Sequence, residues 1–136
     1  MNPVTKPQAV LPEGWARPKG YANGVIAQGR TLYIAGMIGW DGDQRFHSDD
    51  FGVQARQALQ NVADVLKAAG GKGENIVRMT WYVTDKREYL AAGREVGQAF
   101  REIIGSYTIA MTAVQVQALI EDRAKVEIEC TAVLSD

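Results

Sequence analysis

Residues 126–132 alternate with a period of two: Val126, Ile128, Cys130 and Ala132 share one side, and Glu127, Glu129 and Thr131 share the other. A strand of this kind needs a core against its first face and leaves a polar second face to be explained. The first face has two amphipathic partners. Phe51, Ala55, Ala58, Leu59, Val62, Val65, Leu66 and Ala69 recur at helical spacing, Ser48 is a suitable N-cap, and Gly70-Gly71 stops the run. A second helix is expected from Asp85, with Glu88 completing a capping box, to about Ile104, burying Tyr89, Val96, Phe100 and Ile103 or Ile104. Ile76 to Thr84 is dense in β-branched and aromatic residues, and 109–117 reads as a further strand. Gly24–Ala27 and Thr31–Ile38, joined through Gly29-Arg30, read as a hairpin. The order is hairpin, helix, strand, helix, two strands: an α+β sheet with both helices on one face. The second face carries Arg78, Thr80, Tyr82, Glu127 and Glu129, and no third helix is left to cover it. Either that face is wet or another copy of the chain covers it.

All four prolines fall at positions 3, 7, 12 and 18, so residues 1–19 are expected as an extended arm outside the main sheet, ahead of a single domain over 20–136. At 136 residues the chain can bury a core without a disulfide or a structural metal. The 15 Lys+Arg against 16 Asp+Glu, with no basic run, argue against a nucleic-acid partner. A single cysteine, no signal-peptide-length apolar stretch and nothing near the roughly 20 apolar residues of a membrane span point to a cytoplasmic protein with no membrane association.

Chemical signatures are sparse. The single histidine, His47, beside Ser48 and Asp49, is better explained by helix capping than by a triad, and one His far from one Cys gives no metal site. The glycine patches at 36–39 and 70–73 match no phosphate or dinucleotide loop. Glu127 and Glu129 are ordinarily a solvated strand edge. If a partner subunit covers them, desolvation raises a carboxyl pKa and equips the group to orient or deprotonate water.

The segments Gly20-Tyr21, LYIAG at 32–36, QARQALQNVADVLKAAG at 54–70, NIVRMTWYVTD at 75–85 and AKVEIECTAV at 124–133, taken together, resemble the Rid/YjgF family of reactive-intermediate enamine/imine deaminases. The resemblance implies a chorismate-mutase-like (YjgF-type) fold with a mixed sheet, assembled as a homotrimer around a central barrel, with small-molecule clefts between subunits. It implies hydrolysis of 2-imino acids to 2-keto acids and ammonia without a cofactor or metal.

Carried over by position, the family's cleft tyrosine is Tyr21, its glycine is Gly36, and the glutamate that positions water is Glu127. The arginine that holds the substrate carboxylate does not carry over. Where the family reads Pro-Ala-Arg-Thr/Ser, this chain reads Ile109-Ala110-Met111-Thr112, followed by Ala113 where close relatives often have cysteine. An asparagine of the second helix falls at about Gly93. Loss of a desolvated guanidinium–carboxylate contact costs on the order of 2–5 kcal/mol. Arg94 and Arg78 are the substitutes to weigh, each against a plain solvated or structural role. The expected function is an imine or enamine hydrolase of altered substrate range, acting for example on an aminated catabolic intermediate. Its alternatives are a non-catalytic binding or sensing trimer and, disfavoured by the acidic pI near 5.8, a ribonuclease or translation inhibitor.

Overall fold

The structure is a computed structural model that describes residues 6–135, so residues 1–5 of the arm, with Pro3, and Asp136 lie outside the described residues. Its centre is the long helix α1, Phe51–Ala68, which buries Ala55, Ala58, Leu59, Val62 and Leu66 almost completely. Asp50 caps it, its carboxylate accepting from the Val53 amide at 3.0 Å. The expected cap, Ser48, stands one step back: its hydroxyl accepts from the Asp50 amide at 2.9 Å and so fixes the capping residue. At the other end Gly70 turns at φ +83°, a conformation open to glycine at little cost.

Four strands form the main sheet: β3 (Arg30–Ile38), β4 (Ile76–Val83), β5 (Ala110–Gln115) and β6 (Val126–Leu134), in spatial order β3-β6-β4-β5. β6 is antiparallel to both neighbours, and β4 and β5 run parallel, joined by a helical crossover. Met79, Trp81 and Val83 of β4 and Val126, Ile128, Cys130 and Ala132 of β6 are buried against the helices. A register shift between Ile76 and Arg78 also turns Ile76 inward.

The expected hairpin over 24–38 does not form. The short strand β2, Gly24–Ile26, pairs antiparallel with β1, Gln8–Val10, in a separate small sheet, while β3 pairs with β6. Gly29 explains the choice. A β-carbon there would lie 2.1 Å from the Leu134 carbonyl oxygen, so the turn is spent on close approach to the end of β6 rather than on folding β3 back onto β2.

The second expected helix is broken. Lys86–Ala91 forms α2 and Gly93–Ala99 forms α3, separated at Ala92, and Phe100–Ile104 widens into a π-helical turn that Gly105 closes at φ +78°. Glycine at 93 is a poor helix former, and the wide turn sets both Phe100 and Ile104 into the core. Asp85 caps α2 through the Arg87 amide at 2.8 Å. Glu88 does not close a capping box; both its oxygens take Lys125 Nζ at 3.1 Å, tying α2 to the start of β6.

Candidate functional site

Glu127 and Gly36 meet on the sheet face that no helix covers. In β3 the register against β6 slips between Ile34, opposite Cys130, and Met37, opposite Ile128, so Ala35 and Gly36 form a bulge. The Glu127 carboxylate fills the space this leaves: a β-carbon on Gly36 would stand 2.2 Å from Glu127 Oε2. Tyr82 lies opposite Glu127 on β4, yet its hydroxyl donates to Glu129 Oε1 at 3.1 Å. That bond, with the charges of Glu129 and Glu127, raises the Tyr82 phenol above its ordinary pKa. No cation pairs with Glu127 among the described residues. Arg78, exposed on β4, stands level with Thr131 rather than with Glu127.

Tyr21 and Met111 lie elsewhere, at the free edge of β5. The Ala22 amide donates to the Ile109 carbonyl at 2.8 Å, and Ala22 bridges to Ala110, so residues 20–22 run beside the start of β5. Tyr107 Oη donates to the Gly20 carbonyl at 3.0 Å, and Gly20 holds φ +79°. Two clefts flank this contact, and Gly20 and Tyr107 line both. The first, about 420 Å³, is walled by the arm and holds Arg17, Tyr21, Asn23 and Thr108. The second, about 340 Å³, lies under α2 and α3 and is lined by Trp81, Tyr89, Leu90, Val96, Phe100 and Met111, with Gly93 and Gly97 in its wall. None of its lining residues is charged. Met111 sits level with Met79 on the helix-covered face, and Trp81 stacks on Phe100 with centroids 6.2 Å apart. Burial raises the pKa of the Tyr89 phenol.

One protomer therefore splits the expected site in two. Glu127 and Gly36 occupy the helix-free face, while Tyr21 and Met111 sit by the β5 edge and the helix side. Ala113, beside Trp81, is exposed and lines neither cleft; Arg94 is exposed on α3 and lines neither. The sequence reading missed Arg17, which had no motif to mark it, and the aromatic wall of Trp81, Tyr89 and Phe100, which helical and strand spacing present only as core.

Other reactive side chains are otherwise engaged. His47 Nε2 lies 2.6 Å from Asp41 Oδ2 in the loop before α1, and the bond to His47, with the Arg45 and Asp43 amides, lowers the Asp41 pKa. Burial pushes the Cys130 thiol up to about 12, which keeps it protonated and unreactive. Among the described residues no three His, Cys, Asp or Glu side chains cluster to hold a metal, and no helix is long and apolar enough to cross a membrane.

Residues 15–134 match the family model described as Endoribonuclease L-PSP. The chain belongs to this family, the Rid/YjgF family that its sequence resembles. A RutC family protein of Synechocystis is 35% identical over 119 residues, covering 86% of this chain and 88% of its own. The human 2-iminobutanoate/2-iminopropanoate deaminase is 32% identical, covering 83% and 79%. In structure, the Rid protein YyfB of Yersinia pestis, itself of unknown function, superposes with a TM-score of 0.84 at 31% identity over 96% of this chain and all of its own. This Rid chain thus has the family's α+β fold, with a mixed sheet and its helices on one face.

Proposed function

We propose that this chain hydrolyses an imine or enamine to a carbonyl compound and ammonia, in a small-molecule cleft shared between subunits of a homotrimer, with a substrate range displaced from small 2-imino acids. The observation that carries the reading is the Glu127 carboxylate seated in the bulge at Gly36 and free of any cation among the described residues. A carboxylate so placed accepts a proton from water as the water oxygen bonds to the imine carbon. The nitrogen takes up that proton as the C=N double bond opens to a carbinolamine; the carboxylate then carries the hydroxyl proton to the same nitrogen, the C–N bond breaks, ammonia leaves, and the carbon keeps the oxygen as a carbonyl. The human relative's name as a 2-iminobutanoate/2-iminopropanoate deaminase supports this reaction class. The separation of Glu127 from Tyr21 and Met111 supports a shared site, since a ligand touching both groups needs the helix-free face of one protomer against the β5 edge of the next.

Met111, in a cleft without charge, supports the altered range and equally favours the second reading, a binding trimer without turnover. The test is ammonia release from freshly generated imines of graded size, with and without a carboxylate, by wild type and Glu127→Gln. Catalysis of at least one imine that Glu127→Gln abolishes supports hydrolysis. Ligand binding with ammonia release at the background rate across the panel establishes the binding trimer instead.

A further inference from the structure

With methionine at the position of the family's carboxylate-binding arginine, the two cations named from the sequence line neither cleft beside Met111 and Tyr21. Arg78 stands on the helix-free face and Arg94 outside both clefts. Arg17 does line a cleft. It is the one charged residue among the residues lining either of the two, makes no ion pair among the described residues, and shares its cleft with the Tyr21 phenol and the Asn23 amide, both neutral hydrogen-bond donors. Pro18 follows it and restricts the backbone at Arg17 to extended conformations, which limits the directions its side chain can take. An exposed arginine without an ion pair among the described residues, sharing a cleft lining with two neutral side-chain donors and no carboxylate, is suited to receive an anion.

The neighbouring cleft supplies the complementary half. It begins at the same two residues, Gly20 and Tyr107, and its walls are aromatic and aliphatic throughout. From these juxtaposed halves we propose that Arg17, on the N-terminal arm, is the anion-binding residue of this protein, and that its ligand is a carboxylate whose apolar body fills the cleft at Met111. The Gly20–Tyr107 contact stands between the two clefts, so a ligand that occupies both is longer than one confined to either. The inference rests on the proposed function for its choice of site, but it concerns recognition and not turnover.

The test uses the full-length protein and binding alone. Calorimetric titration with phenylalkanoates of increasing chain length, from phenylacetate to 5-phenylpentanoate, is compared with pyruvate and with the neutral amide of each acid. The wild type should bind a longer phenylalkanoate more tightly than pyruvate. Arg17→Gln should weaken that acid about ten-fold, the usual size of a lost hydrogen bond to a charged group, and leave its amide within two-fold. Arg17→Lys should fall between, since lysine keeps the charge and loses the planar fork. Equal weakening of acid and amide, an unchanged acid affinity in Arg17→Gln, or no phenylalkanoate binding would each overturn the proposal. The two readings fail separately. Arg17-dependent binding with no imine turned over retires hydrolysis and keeps Arg17, whereas imine turnover together with an acid affinity unchanged in Arg17→Gln does the reverse.

Discussion

Under the proposed function, Gly36 and Met111 are the residues at which one atom group should decide the chemistry. At Gly36, alanine would place its methyl within 2.2 Å of Glu127 Oε2 and 2.9 Å of Glu127 Cγ. The obstacle is a side chain and not backbone, so the carboxylate swings away and the fold survives. Gly36→Ala should therefore cost no more than about 1 kcal/mol by chemical denaturation, in the range of an ordinary surface change. Any turnover that depends on Glu127 should fall to the level of Glu127→Gln; unchanged turnover would separate the bulge from the chemistry. At Met111 the expectation runs the other way. Wild type should release ammonia from 2-iminopropionate and 2-iminobutyrate near the uncatalysed rate, and Met111→Arg should confer measurable release. No gain in a folded variant would mean that the cleft has diverged beyond this one position. Glu127 was legible because alternation fixes the face of a strand residue. Its contact with Gly36 was not, because a bulge adds a residue to one strand without altering the pattern of the other.

At the scale of elements, α1 and β6 were legible from periodicity alone, since each meets the core along one unbroken face. What failed were junctions. The hairpin over 24–38 failed because Gly29 marks close approach to β6, and glycine in a turn looks the same in either role. The single second helix failed because the break at Ala92 and the wide turn over Phe100–Ile104 keep the apolar spacing while changing the hydrogen-bond ladder. That break has a use. It sets Gly93 in the wall of the apolar cleft, where an added β-carbon meets no atom within 4 Å. Gly93→Val therefore adds a branched side chain at a position open to a β-carbon. We expect its thermal midpoint to stay within a few degrees of wild type, while a phenyl-bearing ligand weakens several-fold more than pyruvate in titration. An equal effect on both ligands would show that the apolar body binds elsewhere.

At the scale of the molecule, the question is what covers the second face of the sheet. Glu127, Tyr82, Glu129 and Arg78 stand there with no helix over them, and Thr80 is the one residue of the polar β4 row that is buried. Tyr33, on the β3 strand that pairs with β6, is 79% exposed. The sequence made the uncovered face visible by a count of helices, because two helices cover one side of a four-stranded sheet and no more. It could not show that the expected site residues fall on opposite sides of one protomer, because that follows from register, which sets Glu127 level with Tyr82 and Met111 level with the buried Met79. We propose one arrangement that meets both facts, a closed ring in which each helix-free face meets the β5 edge of a neighbour. Three copies fit the barrel implied by the family resemblance, so light scattering should give about three times 14.9 kDa at micromolar concentration. Glu127→Gln should keep that mass, since no cation within the protomer holds the carboxylate and its amide has nearly the same shape. Dissociation of Glu127→Gln would make Glu127 an assembly residue that binds a partner's cation. A wild-type monomer that still hydrolyses imines would place the whole reaction within one chain, which the opposed faces of Glu127 and Met111 argue against.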